Sequence, residues 1–307
     1  MMKWKGSESV LIEVKGVNKR IGETEILKSI NLNIQKGSIL GLIGPNGAGK
    51  TSLIKTITGI WKPDKGSVTF KGLDIFSNPE VKENLGYVPD QCHYYASYRI
   101  SEMLMFYKLA YKNFSQAKFK ELNKIFEIPM SKRVRELSKG TKAKLSLLLN
   151  LSILPEVLIL DEPTSGLDPV AKRTFTELIL DDAAERKTTV LISSHNLGDL
   201  EKICENIAVI DKGEIKFFDT LDSIKKKVRK FQVVFKNGIP KDILKSEEFL
   251  NVSNIGSVLY IVTNKFSKSL EEKLISSGAS LIEEINLNLE EIFIYSFGGE
   301  YSHEITM

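Results

Sequence analysis

Gly44-Pro45-Asn46-Gly47-Ala48-Gly49-Lys50-Thr51 stands between the apolar run Ile39-Leu40-Gly41-Leu42-Ile43 and a helical pattern that starts near Ser52. The spacing reads as a phosphate-binding loop between a strand and a helix. A triphosphate must lie against bare backbone N–H groups, so the loop needs glycines that lack Cβ atoms and accept unusual φ values. The N-terminus of the following helix adds its dipole. Lys50 is suited to stand between β and γ phosphates, and the Thr51 hydroxyl to meet Mg²⁺, which takes oxygen ligands. Average composition gives such a pattern by chance in roughly one 300-residue chain in a hundred. An ordinary glycine-rich turn is the competing reading of the loop taken by itself.

The chain has 307 residues, 42% of them apolar, which gives room for one large domain or two smaller ones with substantial cores. A net charge of +4 is too small to indicate nucleic acid, whose partners concentrate basic residues on one face. One basic run exists, Lys225-Lys226-Lys227-Val228-Arg229-Lys230. It reads as a solvated helix or linker face, with contact to anionic lipid headgroups as the alternative. Cys92 and Cys204 are the two cysteines and form no disulfide or metal pattern, which fits a reducing compartment. Met1-Met2-Lys3-Trp4-Lys5-Gly6 carries no signal-peptide core. Leu145 to Leu160 is apolar but is broken by Ser146, Asn150, Ser152, Pro155 and Glu156, so it does not read as a bilayer span.

Val10–Val14 and Ile26–Ile34 read as strands of a β-rich entry region, followed by the strand into the phosphate loop. Ser67–Phe70 and Leu85–Val88 read as further strands, the second stopped by Pro89. From Asp90 to Glu136 the pattern is helical and aromatic-rich, with Tyr94, Tyr95, Tyr98, Phe106, Tyr107, Tyr111 and Phe114 placed as core or as a groove for a partner helix. Leu137-Ser138-Lys139-Gly140-Thr141 precedes a long helix. Val157-Leu158-Ile159-Leu160 is then a fully apolar strand ending in Asp161-Glu162, the form of a buried parallel strand that delivers carboxylates to a site at its C-terminal end. A helix over Pro169–Arg186 connects it to a strand from Thr188 to Ile192 that ends at Ser193-Ser194-His195, completing a β-α-β unit. Ile207–Ile210 and Ile215–Phe218 form a hairpin. Strands and helices over 219–307 make a small α+β domain, with no catalytic constellation apparent.

The phosphate loop, the strand ending in Asp-Glu and the later strand ending in His together resemble the ATP-binding subunit of an ABC transporter. The resemblance covers Val10 to Phe218. It implies an α/β P-loop ABC ATPase domain over 1–218, with a RecA-like parallel sheet core, an antiparallel β subdomain and a helical subdomain at about 90–152. A C-terminal α+β domain follows over 219–307. Gly44, Pro45, Asn46, Gly47, Ala48, Gly49, Lys50 and Thr51, with Ser52 after them, match the Walker A loop, and Val157 to Asp161 match the Walker B strand. Glu162 falls on the catalytic glutamate, Ser165-Gly166-Leu167-Asp168 on the D-loop, and His195 on the switch histidine. Asp161 is then expected to hold Mg²⁺ through water, Glu162 to polarise the attacking water, and His195 to bond the γ-phosphate.

Leu137–Thr141 resembles the ABC signature, in which Ser138 and Gly140 meet the nucleotide of a second subunit in a head-to-tail dimer. Three positions depart from the family pattern. Lys139 and Thr141 replace the usual Gly and Gln of the signature. Asp90, with Gln91 beside it, stands at the Q-loop glutamine and is read as a further metal ligand through water. Ile21 stands where an aromatic residue stacks on adenine, with Trp4 or a partner residue as the alternative cover. The helical insert and the C-terminal Leu289-Glu290-Glu291-Ile292-Phe293 resemble the bacterial branch that exports drugs, antibiotics and antimicrobial peptides. The resemblance thus implies ATP and Mg²⁺, a transmembrane permease, a second copy of the ATPase subunit, no nucleic acid, and a place on the cytoplasmic face of the membrane. A non-transport ABC ATPase working on ribosomes or DNA is the second reading; fused ATPase domains or a long coiled-coil insert would mark it. A regulatory ATP-binding subunit is the third, and Glu162 with His195 argues against it.

Overall fold

The computed structural model describes residues 10–235, 238–240, 243 and 249–297. The Met1–Gly6 stretch, Trp4 included, lies outside them. Two compact units result: one runs to His195 and resumes over Ile203–Phe218, and the other comprises Asn196–Lys202 and the chain from Asp219 onward. The excursion of Asn196–Lys202 into the second unit is not anticipated by a linear boundary after residue 218.

In the first unit, β1 (Val10–Ile21), β2 (Thr24–Gln35), β4 (Lys65–Phe70) and β5 (Leu73–Asp74) form an antiparallel sheet in the order β2-β1-β4-β5. A second sheet contains β3 (Ile39–Ile43), β6 (Leu85–Val88), β7 (Val157–Asp161), β8 (Thr189–Ser194), β9 (Asn206–Asp211) and β10 (Glu214–Thr220), in the order β10-β9-β3-β8-β7-β6. Every residue of β3, β7 and β8 is buried, as expected of parallel strands covered on both faces. β9, β3, β8, β7 and β6 pair in parallel, and the two-residue turn Lys212-Gly213 joins β9 to β10. Register places the ends of three strands together, with Ile43 opposite Ser194 and Asp161 opposite Ser193. The loops that leave these strands therefore open at one edge of the sheet.

α1 (Lys50–Ile57) follows the phosphate loop, and α5 (Pro169–Arg186) carries the crossover from β7 to β8. Asp168 caps α5 by accepting the Ala171 N–H at 2.9 Å, Pro169 occupies its first turn, and Lys187 ends it in a left-handed conformation. The helical subdomain contains α2 (Ile100–Ala110), α3 (Gln116–Phe126) and α4 (Lys139–Ser152), the last two capped by Ser115 and Ser138. Its aromatics divide: Tyr107 is buried, whereas Tyr95, Tyr98 and Phe106 are exposed. Burial pushes the Tyr107 hydroxyl up to about 12.

The second unit has an antiparallel sheet of β11 (Arg229–Phe235), β12 (Asn251–Ile255), β13 (Val258–Thr263) and β14 (Ala279–Ile285), in the order β12-β13-β11-β14. Its helices are α6 (Leu197–Glu201), α7 (Leu221–Lys227), α8 (Lys268–Ser276) and α9 (Leu289–Phe297). Phe231, Val233, Phe235, Leu259, Ile261, Leu270 and Leu274 make its core. The basic run belongs here. Lys225, Lys227, Arg229 and Lys230 pair with Glu201, Asp219, Glu284 and Glu291, so four of its five cations have an ion pair among the described residues. These pairs support the reading as a structural face over the one as a lipid-binding patch. Among the described residues, no helix is long and apolar enough to cross a membrane.

Candidate active site

The phosphate loop leaves β3 through a position that only glycine fits. A Cβ on Gly44 would stand 2.2 Å from the Ile210 carbonyl oxygen. Gly49 has φ +108°, a region that L side chains rarely adopt, and α1 begins immediately after it. Lys50 is 7% exposed, and its Nζ donates to the carbonyl oxygens of Gly44 at 2.6 Å and Pro45 at 3.3 Å. The same ammonium stands 3.5 Å from Glu162 Oε1. An ammonium folded against its own loop in this way faces the space the loop encloses.

Glu162 follows β7 in a left-handed conformation, φ +47°, which turns its side chain back toward the loop. Its N–H bonds the Ser193 carbonyl oxygen at 3.2 Å and Ser193 Oγ at 3.1 Å. Ser193 Oγ in turn donates to Asp161 Oδ1 at 2.7 Å, so one buried hydroxyl fixes both acidic residues. His195 Nδ1 lies 2.8 Å from Glu162 Oε2, and the Nδ1-protonated tautomer donates to it. Asp161 is 1% exposed. Burial raises its pKa, hydrogen bonds from Ser193 and Thr51 oppose the rise, and the charges of Glu162 and Asp90 add to it. Lys50, Thr51, Asp161, Glu162 and His195 thus converge where three parallel strands end.

A family model described as ABC transporter matches residues 27–165. The ABC transporter ATP-binding protein YtrB of Bacillus subtilis (strain 168) is 36% identical over 293 residues, 94% of this chain and 99% of its own length. The chain belongs to the ATP-binding proteins of the ABC transporter family. It is an ATPase of that family, and its fold is that of an ABC cassette. The bacitracin transport ATP-binding protein BcrA of Bacillus licheniformis is 32% identical, over 73% of this chain and 74% of its own length. A solved ATP-binding subunit of an ABC transporter is 29% identical with a TM-score of 0.65, over 70% of this chain and 92% of that one.

Around this cluster of the ABC ATPase lie the positions read as departures from the family pattern. Lys139 Nζ is 3.2 Å from Asp90 Oδ1 and 3.4 Å from Ser165 Oγ, so three positions that the resemblance assigns to the signature, the Q-loop and the D-loop meet here. Two of the unusual residues therefore answer each other. Asp90 also lines one cavity with Thr51 and Asp161, which keeps it beside the other two oxygen donors read as metal-binding. Ser138 Oγ accepts the Thr141 N–H at 3.2 Å and caps α4. A Cβ on Gly140 would stand 3.2 Å from Leu167 Cδ2, so the signature glycine allows close approach of the D-loop. Asp168 acts in this chain as the cap of α5, and the Ala171 N–H lowers its pKa. Ile21 ends β1 and is 47% exposed.

Sequence reasoning missed two residues. In the sequence Ser193 shows only as part of a strand end, although a hydroxyl within a buried apolar strand signals that a polar partner must be near. Lys139 reads from the sequence only as a departure from the signature, and nothing local shows its link to Asp90.

Proposed function

We propose that this ABC ATPase is the energising subunit of a membrane exporter, with ATP driving head-to-tail dimerisation of two copies. The observation that carries the hydrolytic part is the Lys50–Glu162–His195 cluster at the ends of β3, β7 and β8. Residues 44–52 bind the triphosphate, Lys50 exchanging its carbonyl partners for phosphate oxygens. Thr51 and Asp161, with Asp90 nearby, are the hard oxygen donors that would hold Mg²⁺; two or three protein oxygens suit an ion that keeps waters and phosphates in its shell. When bound, that ion neutralises charge on the phosphates. Glu162 takes the proton of the attacking water, and His195 orients Glu162 and the terminal phosphate. Ser138, Gly140 and Asp168 serve the nucleotide of the other copy.

The partner reading rests on a cavity of about 580 Å³ beside Thr51 and Asp161, lined also by Asp90, Gln91, Tyr94, Tyr107 and Tyr111. Its aromatic wall suits a helix of a transmembrane permease, and Asp90 and Gln91 join that wall to the catalytic edge. Such an assembly places the ATPase on the cytoplasmic face of a membrane. Drugs, antibiotics or antimicrobial peptides as the cargo are supported by the similarity to the bacitracin transport ATP-binding protein, and export is the direction proposed with them.

Glu162→Gln tests the assignment. It keeps the size of the side chain and removes the base, so ATP binding persists while turnover falls by about 10²- to 10⁴-fold. The ATP-bound dimer accumulates and is read by size-exclusion chromatography with Mg-ATP. Turnover near that of the wild type would contradict the role given to Glu162.

A further inference from the structure

His195 is the last residue of the first unit before the chain enters the second, and the first unit resumes only at Ile203. The segment between them is α6, capped by Asn196, which accepts the Asp199 N–H at 3.0 Å. A five-residue helix has no stability of its own and depends on packing. Leu197 and Leu200 are buried at 3% and 0%, and α6 packs against α9.

The charged end of α6 is organised around one carboxylate. Glu201 Oε1 is 2.7 Å from Lys225 Nζ of α7, and Glu201 Oε2 accepts the N–H of Leu289, the first residue of α9, at 3.1 Å. The Glu201 side chain is only 20% exposed. A carboxylate in the last turn of its own helix opposes that helix dipole, whereas at the N-terminus of another helix it is favoured. Its placement is therefore explained by α7 and α9. The segment that follows His195 is thus held to α7 and α9.

We infer that Glu201 is a positioning residue for His195: by tying α6 to α7 and α9, it fixes the segment through which the chain leaves the histidine that bonds Glu162. The inference rests on the role given to His195 in ATP hydrolysis. Loss of the tie leaves the phosphate loop and Lys50 untouched. It loosens the His195 backbone, whose N–H lies 3.4 Å from Glu162 Oε2 and whose ring holds the same oxygen.

Steady-state ATP hydrolysis by the full chain tests this with Glu201→Ala, Glu201→Gln, His195→Ala and the double variant Glu201→Ala/His195→Ala. Glu201→Ala is expected to lower kcat by about tenfold, with KM for ATP changed by less than about twofold, because a small misplacement of a catalytic group costs rate. Glu201→Gln keeps an oxygen for the Leu289 N–H and recovers most of the rate. In the His195→Ala background, Glu201→Ala lowers the residual rate by less than about twofold, because the group it positions is already gone. An unchanged kcat in Glu201→Ala overturns the inference. So does an equal fold-loss in both backgrounds, the mark of a general structural effect. If His195→Ala alone hydrolyses ATP like the wild type, the role of His195 falls first, and the inference with it.

Discussion

Asp161 in the first unit ends a strand whose five residues are all buried, whereas Glu284 in the second lies on a strand with no fully buried residue and faces Arg229. Burial raises the pKa of Asp161; the Arg229 guanidinium lowers that of Glu284. The contrast extends to the cations. Lys50 is almost fully buried against carbonyl oxygens and Glu162, while Lys225, Lys227 and Lys230 each reach a carboxylate near the surface. Charges kept in a low-dielectric place at a cost mark chemistry, because a site must hold a charge ready before its ligand arrives. Charges that each meet an opposite partner mark scaffold. By this measure the first unit contains the engine, and the second is scaffold.

The sharpest test of the contrast removes the buried cation. Lys50→Ala should weaken ATP binding by about 10- to 100-fold, corresponding to the roughly 1.5–3 kcal/mol of a charge-assisted hydrogen bond. Titration with a fluorescent ATP analogue reads the effect, and an unchanged affinity would remove Lys50 from the phosphate site. Asp161→Asn should separate stability from function. The pKa of Asp161 is raised above 3.8, so the native state binds its proton more tightly than the unfolded chain does. The contribution of this group is most favourable below 3.8 and is lost as pH rises through the folded pKa. At pH 7 the asparagine variant, which keeps an oxygen for Ser193, should melt at a higher temperature than the wild type while losing Mg-dependent hydrolysis. The gain in melting temperature should vanish on acidification. A lower melting temperature at pH 7 would mean that the buried charge is compensated, and the contrast with Glu284 would be gone.

Much of this was legible in the sequence where the signal is local. Pro169–Arg186 is read to the residue, because Asp168 caps the helix, proline opens it and a long helical pattern runs to Arg186. The strands that end at Asp161-Glu162 and at His195 show as apolar runs that end in polar residues. β1 is different: Val10–Val14 was legible, but the strand runs on to Ile21. Gly16 and Asn18 look like breakers. In the fold, Asn31 Oδ1 accepts the Gly16 N–H at 2.9 Å, and Asn18 Oδ1 accepts the Ser29 N–H at 2.9 Å, which carries the ladder across an irregular register. The pairing of Lys139 with Asp90 and that of Glu201 with Lys225 and Leu289 also join residues far apart in the chain. Such bonds leave no periodicity, so the phosphate loop and its carboxylates are legible and the links around them are not.

The smallest effect belongs to Arg229 and Glu284, and it decides whether the second unit is scaffold in the sense used above. Arg229 Nε bonds Glu284 Oε1 at 2.8 Å and its Nη2 bonds Oε2, a two-pronged pair at a partly exposed surface. Solvent screens such a pair, so a double-mutant cycle should give a coupling of about 0.2–1 kcal/mol. The coupling should shrink in high salt. Because the folded pKa of Glu284 lies below 4.5, the contribution is present above that value and fades as pH falls through the folded pKa. The two single variants should not be equal. The guanidinium carbon also stands 5.0 Å from the Phe231 ring centre and 4.6 Å from that of Phe266, contacts that Glu284→Ala leaves in place. Arg229→Ala should therefore destabilise more, by about a further 0.5–1 kcal/mol, as read by urea denaturation. A coupling of several kcal/mol, insensitive to salt, would show a desolvated charge pair in the second unit. Charge held at a cost would then no longer distinguish the catalytic edge from its support.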